Sequence, residues 1–139
     1  YDHVIDYKAE NVTERVAQIT AGAGCDAAYD SVGKDTFAST LASLKMHGTA
    51  VAFGQSSGPY SDFRISDLGK GSFHLTRPSV FHFIVHRPWL EQATDLRSSK
   101  VTDGSLNIAI NQSFALEDVA AAHDALETRQ TTGCTVLTV

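Results

Sequence analysis

An α/β fold built on a mainly parallel, doubly wound sheet with helices on both faces is what this chain of 139 residues predicts. Three observations carry that expectation. Apolar runs of strand length alternate with amphipathic stretches of helix length, the pattern of parallel strands joined by crossover helices. The run Cys25–Val32 has little polar alternation, as expected of a strand covered on both faces. Three apolar runs stop in polar or glycine-containing turns, at Asp30-Ser31-Val32-Gly33, Phe53-Gly54-Gln55 and Thr76-Arg77-Pro78. Right-handed crossovers put those ends on one edge of the sheet, where ligands of such sheets sit. No G-x-G-x-x-G occurs, so the chain reads as the second half of a nucleotide site without the first.

Taken in order, His3–Asp6 reads as a short strand. Asn11-Val12-Thr13-Glu14 has the spacing of a capping box, and Val12, Val16 and Ile19 follow on one helical face, ended by Gly22 and Gly24. After the strand at Cys25–Val32, Asp35 is placed to cap a second helix with Phe37, Leu41 and Leu44 inward. Lys45 and His47 fall near its C-terminus, where positive charge is favoured. A strand follows at Thr49–Phe53, then a Ser/Gly/Pro loop at Gln55–Tyr60, a helical turn at Ile65–Lys70 and a strand at Ser72–Thr76. Arg87–Lys100 reads as a helix with Pro88 in its first turn, where a missing N–H is tolerated. Asp103-Gly104 is a turn, Leu106–Ile110 a short strand, Leu116–Thr128 a helix and Cys134–Thr138 the last strand. The chain begins at Tyr1, without an initiator Met and already running into a strand, and so reads as a fragment whose residues 1–10 are poorly anchored unless something covers them.

The length suits one domain with a real core. A net charge of −5 and scattered Lys and Arg argue against nucleic acid or an anionic membrane as the partner. No segment has the length of a membrane span or the pattern of a secretory signal, which fits a cytoplasmic protein. The two cysteines, Cys25 and Cys134, suit buried thiols in a reducing compartment better than zinc or disulfide chemistry.

Several residues could carry chemistry, and each has a plainer reading. Gly33 would let a cofactor lie flat against the backbone, or residues 30–33 are an ordinary turn in which Asp30 or Ser31 satisfies local amides. Phe53-Gly54-Gln55 suits a ribose or nicotinamide packed on the chain, or is a core Phe followed by a loop. Arg77 either binds a phosphate or carboxylate or makes a surface ion pair. Arg129 either offers its fork to a phosphate or answers the helix dipole. His82 and His86 are four apart, yet no third ligand is near, so packing or surface roles are preferred to a metal. His123 lies on an apolar helix face and reads as a core histidine. Trp89 reads as an apolar anchor. No nucleophile elbow of the hydrolase type occurs.

The segments HVIDY, YDSVGKDTF, LASLKMHGTAVAFGQSSGP, GKGSFHLTRPSVFHF and AAAHDALETRQTTGCTVL, in this order, closely resemble the C-terminal part of NADPH-dependent quinone oxidoreductases. These are zinc-free, zeta-crystallin-like members of the medium-chain dehydrogenase/reductase superfamily. The resemblance implies a partial Rossmann-type sheet lacking its first strands. It also implies a GroES-like catalytic domain and a glycine-rich phosphate loop upstream of residues 1–139. It implies NADPH as cofactor, with Tyr7 near the adenosine phosphate, Ser31, Val32 and Gly33 beneath the adenine or ribose, and Phe53, Gly54 and Gln55 beside the nicotinamide ribose. Thr76, Arg77 and Pro78 would line the nicotinamide pocket, and Arg129 would contact the cofactor. No metal ligand and no catalytic residue is carried over. Tyr1, Gln55 and His86-Arg87-Pro88-Trp89 depart from the family pattern.

The implied activity is hydride transfer from NADPH to a small-molecule quinone or enone, with this portion alone inactive and a homodimer formed through the edge strand 72–76. Two other readings stay open. One is a non-catalytic module that dimerises through that edge. The other is a parent enzyme that reduces enoyl thioesters or small aldehydes.

Overall fold

A computed structural model describes residues 1–139. The chain divides into two compact units, Tyr1–Phe83 and Ile84–Val139. The division follows the hydrogen-bond ladders, which run within a three-stranded sheet and a separate two-stranded sheet. All paired strands are parallel, as the alternation of strands and helices requires.

In the first unit, helix α1 (Val12–Ile19) begins as its sequence dictates: the Asn11 side chain accepts from the Glu14 amide at 3.3 Å and donates to the Glu14 carboxylate at 3.1 Å. The chain then turns through Gly24, whose φ of +76° lies in the left-handed region and whose missing Cβ would sit 2.7 Å from the Lys45 nitrogen. Strand β1 (Cys25–Asp30) follows, then α2 (Phe37–Ala42), β2 (Leu44–Ala52), a 3₁₀ helix at Ile65–Lys70 and β3 (His74–Thr76). The sheet order is β1-β2-β3, with Asp30 paired to Ala52 and Val51 to Thr76. The three strands therefore end side by side.

Alanines dominate this sheet. Ala50 and Ala52 are buried in β2, and Ala28 packs against them, so α2 can lie close on the strands. Phe37 and Leu41 from α2 and Leu44 from β2 complete the core. The Phe37 ring meets Tyr60 and Phe63 edge-on, at centroid distances of 4.7 and 5.4 Å.

Three expectations fail here. His3–Asp6 is not a strand: it has no ladder partner, and Val4 is exposed. Leu44 belongs to β2 and not to the second helix, because the Ser43 carbonyl accepts the Cys25 amide at 2.9 Å and draws the chain onto β1. Lys45 and His47 go with it, and Lys45 ion-pairs with Asp26, holding that carboxyl below its ordinary pKa. Asp35 does not cap α2; Thr36 occupies that position, and the Asp35 amide donates to Ser57 Oγ at 3.0 Å.

Helix α3 (Val80–Ile84), absent from the sequence reading, leads into the second unit. Helix α4 (Arg87–Thr102) carries Pro88 in its first turn, and Arg87 Nε bonds Glu91 at 2.6 Å one turn on. The helix stops at Asp103, whose carboxylate accepts the Ser105 amide at 2.8 Å. Strand β4 spans Ile110–Ala115, displaced from the expected 106–110, because those residues find the register of β5 (Cys134–Thr138). Between them lie a 3₁₀ turn and α5 (Val119–Glu127), which buries Ala122; His123 is exposed, not in a core. Trp89 remains 41% exposed, so it is no deep anchor. His82 lies in α3 and His86 caps α4, so the two do not share one helix. Cys25 is half-buried and Cys134 exposed, which corrects the expectation of two buried thiols.

Because Phe37 is buried and meets two rings, Phe37→Ala is expected to lower unfolding free energy by about 3–5 kcal/mol, checked by urea denaturation.

Candidate functional site

The ends of β1, β2 and β3 carry the loops that the sequence singles out, and the backbone explains how they are held. Asp30, the last residue of β1, is only 4% exposed. Its Oδ1 accepts the amides of Val32 and Gly33 at 2.8 and 2.9 Å. The hydroxyl of Thr36 donates to both carboxylate oxygens at 3.0 Å, and that of Thr40 to Oδ2 at 3.0 Å. The carboxylate thus pins the turn 31–33 to the first turns of α2. The Asp30 carbonyl, in turn, accepts the amides of Phe53 and Gly54 at 2.9 and 3.2 Å, which joins the end of β2 to the end of β1.

The two loops are then zipped together. Ser57 donates to the Val32 carbonyl through both its amide and its hydroxyl, each at 2.8 Å, and Lys34 donates to the Gly58 carbonyl at 3.2 Å. Gly54 and Gly33 are required by this approach. A Cβ on Gly54 would lie 2.8 Å from Ser31 Cα, and one on Gly33 would lie 2.7 Å from the Gly58 carbonyl oxygen; Gly33 also has a φ of +95°. The third loop joins through Arg77, whose guanidinium donates to the Ala52 carbonyl at 2.9 Å. Arg77 thus clips β3 to the end of β2 in place of the surface ion pair considered for it.

The structure thus brings together Ser31, Val32, Gly33, Phe53, Gly54 and Gln55, with Thr76 beside Val51 and Arg77 against Ala52. Pro78 follows Arg77, half-buried. Tyr7 stands elsewhere in the same unit's chain path, exposed in the turn before α1. Arg129 belongs to the second unit, where a φ of +60° ends α5 and its amide donates to the Leu126 carbonyl at 3.1 Å.

Asp30 satisfies the local amides, as the plainer reading of residues 30–33 has it, and Thr36, Thr40 and Tyr60 join it in building the site without having been singled out. Asp30 had a signal, an acid closing an apolar strand; the two threonines had none, since six and ten residues separate them from it. The Tyr60 hydroxyl donates to the Gly54 carbonyl and so fixes the β2 loop from behind. Burial raises the Tyr60 pKa above the ordinary tyrosine value, and the negative charge of Asp30 adds to this while Arg77 opposes it.

This arrangement limits what the site can do. The amides of residues 32–35, 53–54 and 56–58 all donate inside the unit. None is left to cradle a phosphate, which needs several free N–H groups. What remains outward is the exposed Phe53 ring, the side chains of Ser31 and Gln55, and half-buried Val32, a surface suited to a ring or a sugar. A separate cleft of about 430 Å³ lies between α2 and the segment 60–73, floored by Phe37, Leu41, Phe63 and Phe73; none of the sequence-predicted site residues lines it. No group of three His, Cys, Asp or Glu side chains is placed to hold a metal ion.

Residues 1–137 match the family model described as zinc-binding dehydrogenase. The chain is 40% identical over 137 residues to a quinone oxidoreductase of Salmonella typhimurium, covering 96% of this chain and 42% of that protein. It is 36% identical over 137 residues to a 2-haloacrylate reductase of a Burkholderia species, covering 97% of this chain and 41% of the relative. Among solved structures, the Escherichia coli quinone oxidoreductase complexed with NADPH superposes with a TM-score of 0.93 at 35% identity, covering 99% of this chain and 43% of that one. The chain thus spans less than half the length of these relatives.

Two outcomes follow from the geometry. Gly54→Ala forces Ser31 away and is expected to destabilise the first unit by about 1–3 kcal/mol, read from the unfolding midpoint. The folded state holds the Tyr60 proton more tightly than the unfolded chain does, so the stability this residue adds is present below the ordinary tyrosine pKa and is lost as pH rises through the raised one. Urea midpoints followed into alkaline solution should fall less steeply for Tyr60→Phe than for the unaltered chain.

Proposed function

This chain belongs to the zinc-binding dehydrogenase family, and on that premise we propose that it is the NADPH-binding portion of an oxidoreductase that passes hydride from NADPH to a quinone or related enone. The observation that carries the proposal is the convergence of the three strand ends, at the crevice where open parallel sheets take their ligands. The likeness to quinone oxidoreductases, one of them complexed with NADPH, supports the cofactor and the acceptor class. The relative named for reducing a haloacrylate supports a conjugated acceptor.

In this proposal NADPH, when bound, supplies the hydride, and the protein supplies orientation and a dry surface. Val32 forms the floor beneath a ribose or base, with buried Gly33 shaping the turn behind it, Ser31 offers a hydroxyl beside it, and Phe53, Gly54 and Gln55 flank the nicotinamide ribose. Thr76, Arg77 and Pro78 line the nicotinamide side, with Arg77 holding the wall in place from the Ala52 carbonyl. Tyr7 would lie near the adenosine phosphate, and Arg129 would contact the cofactor. With the amides of residues 32–35, 53–54 and 56–58 occupied, the pyrophosphate takes donors from outside these loops, as a glycine-rich loop upstream would supply. The relatives' greater length supports a GroES-like catalytic domain in the rest of the protein. The edge position of β3, paired only with β2, supports a homodimer formed through residues 72–76, and no helix of the chain is long and apolar enough to cross a membrane. We place the protein in the cytoplasm.

The full-length protein is expected to consume NADPH in the presence of a simple benzoquinone, followed by loss of NADPH absorbance, and this chain alone is expected to be inactive. Turnover only with enoyl thioesters or small aldehydes would move the acceptor class. A full-length protein that dimerises and leaves NADPH both unbound and unconsumed would overturn the enzyme reading in favour of a self-associating module.

A further inference from the structure

We infer that Asp30 is a positioning residue for the NADPH proposed above for these loops, acting through the turn 31–33; without NADPH in the loops it has nothing to position. At 4% exposure its carboxylate is too buried to touch a ligand. It instead receives four donors from two directions. Val32 and Gly33 come from the turn that would lie beneath the cofactor, and the Thr36 and Thr40 hydroxyls come from α2. Thr36 occupies the N-cap of α2, where a threonine ordinarily bonds the helix amides, yet its hydroxyl is turned to Asp30. Because the same residue's carbonyl takes the Phe53 and Gly54 amides, the turn after β1 and the segment after β2 share one anchor. The side chain of this residue sets the turn after β1 without touching ring or sugar, while its backbone carbonyl holds the segment after β2.

A role in packing alone and a role in positioning predict different results. Asp30→Asn keeps the volume and removes the charge and one acceptor oxygen. In the full-length protein it is expected to raise KM for NADPH about tenfold, with kcat at saturating NADPH kept within about twofold. Thr40→Val keeps the shape and removes one donor, and is expected to raise the same KM about threefold. Thr40→Ser keeps the hydroxyl and loses a methyl, and is expected to behave like the unaltered protein. A packing role predicts the opposite order for the Thr40 pair, and that result overturns the inference. So does a fall in kcat at unchanged KM in Asp30→Asn, which is the signature of less folded enzyme. If Asp30→Asn does not fold, the Thr40 pair decides. Should the unaltered full-length protein fail to bind NADPH, measured by nucleotide fluorescence, both the inference and the cofactor reading fall. Should it bind NADPH while Asp30→Asn and Thr40→Val bind equally well, the inference alone falls.

Discussion

Withdrawing the Asp30 carboxylate from water is unfavourable by several kcal/mol, and the fold recovers this through hydrogen bonds to a charged acceptor, each worth about 1.5–3 kcal/mol. Both oxygens are occupied, by two amides and two hydroxyls, so no lone partner is stranded. That balance explains why so much geometry hangs on one residue. Asp30 ends β1, pairs in register with Ala52 at the end of β2, and through its carbonyl directs the chain that leaves β2. Arg77 repeats the device one strand over, on the Ala52 carbonyl. Each strand end is fastened to the next by a side chain or carbonyl of its neighbour.

Small residues make these fastenings possible. Ala28, Ala50 and Ala52 let α2 and the rings of Phe37 and Tyr60 come down onto the sheet, which brings the Tyr60 hydroxyl within reach of the Gly54 carbonyl. Gly33 and Gly54 let the loops meet backbone to backbone. The outward face of the site is thus one exposed aromatic ring, the side chains of Ser31 and Gln55 and half-buried Val32, with the bonded amides and carbonyls of the loops turned inward.

How much of this could be read from the residues depended on whether the signal was local. The cap at Asn11, the proline opening of α4, the 3₁₀ turn at Ile65–Lys70 and the last strand at Cys134–Thr138 were legible, since each is fixed within a few residues. Elements defined by partners were not. His3–Asp6 has strand-like residues and no ladder to join; Leu44 has helical spacing from Phe37 and Leu41 and is claimed by β1; and the alternation at Leu106–Ile110 yields to a register found only beside β5. Helix α3, with its run of Phe and His, shows no helical period. The same divide applies to the site. The turns at 31–33 and 53–55 announce themselves by composition, and the structure brings them together. Thr36, Thr40 and Tyr60 reach their acceptors only through the folded backbone.

The cross-tying of the loops also governs how they can move. A loop free at both flanks can swing on its own and close over a ligand as a lid. Here the segment after β1 and the segment after β2 share bonds at Asp30, Ser57 and Gly58, so neither can open without breaking the other's contacts. They form one preorganised wall, for which binding carries little ordering entropy. Any opening and closing that admits a ligand must then come from motion of this wall as a single body, or from the parts of the protein that face it.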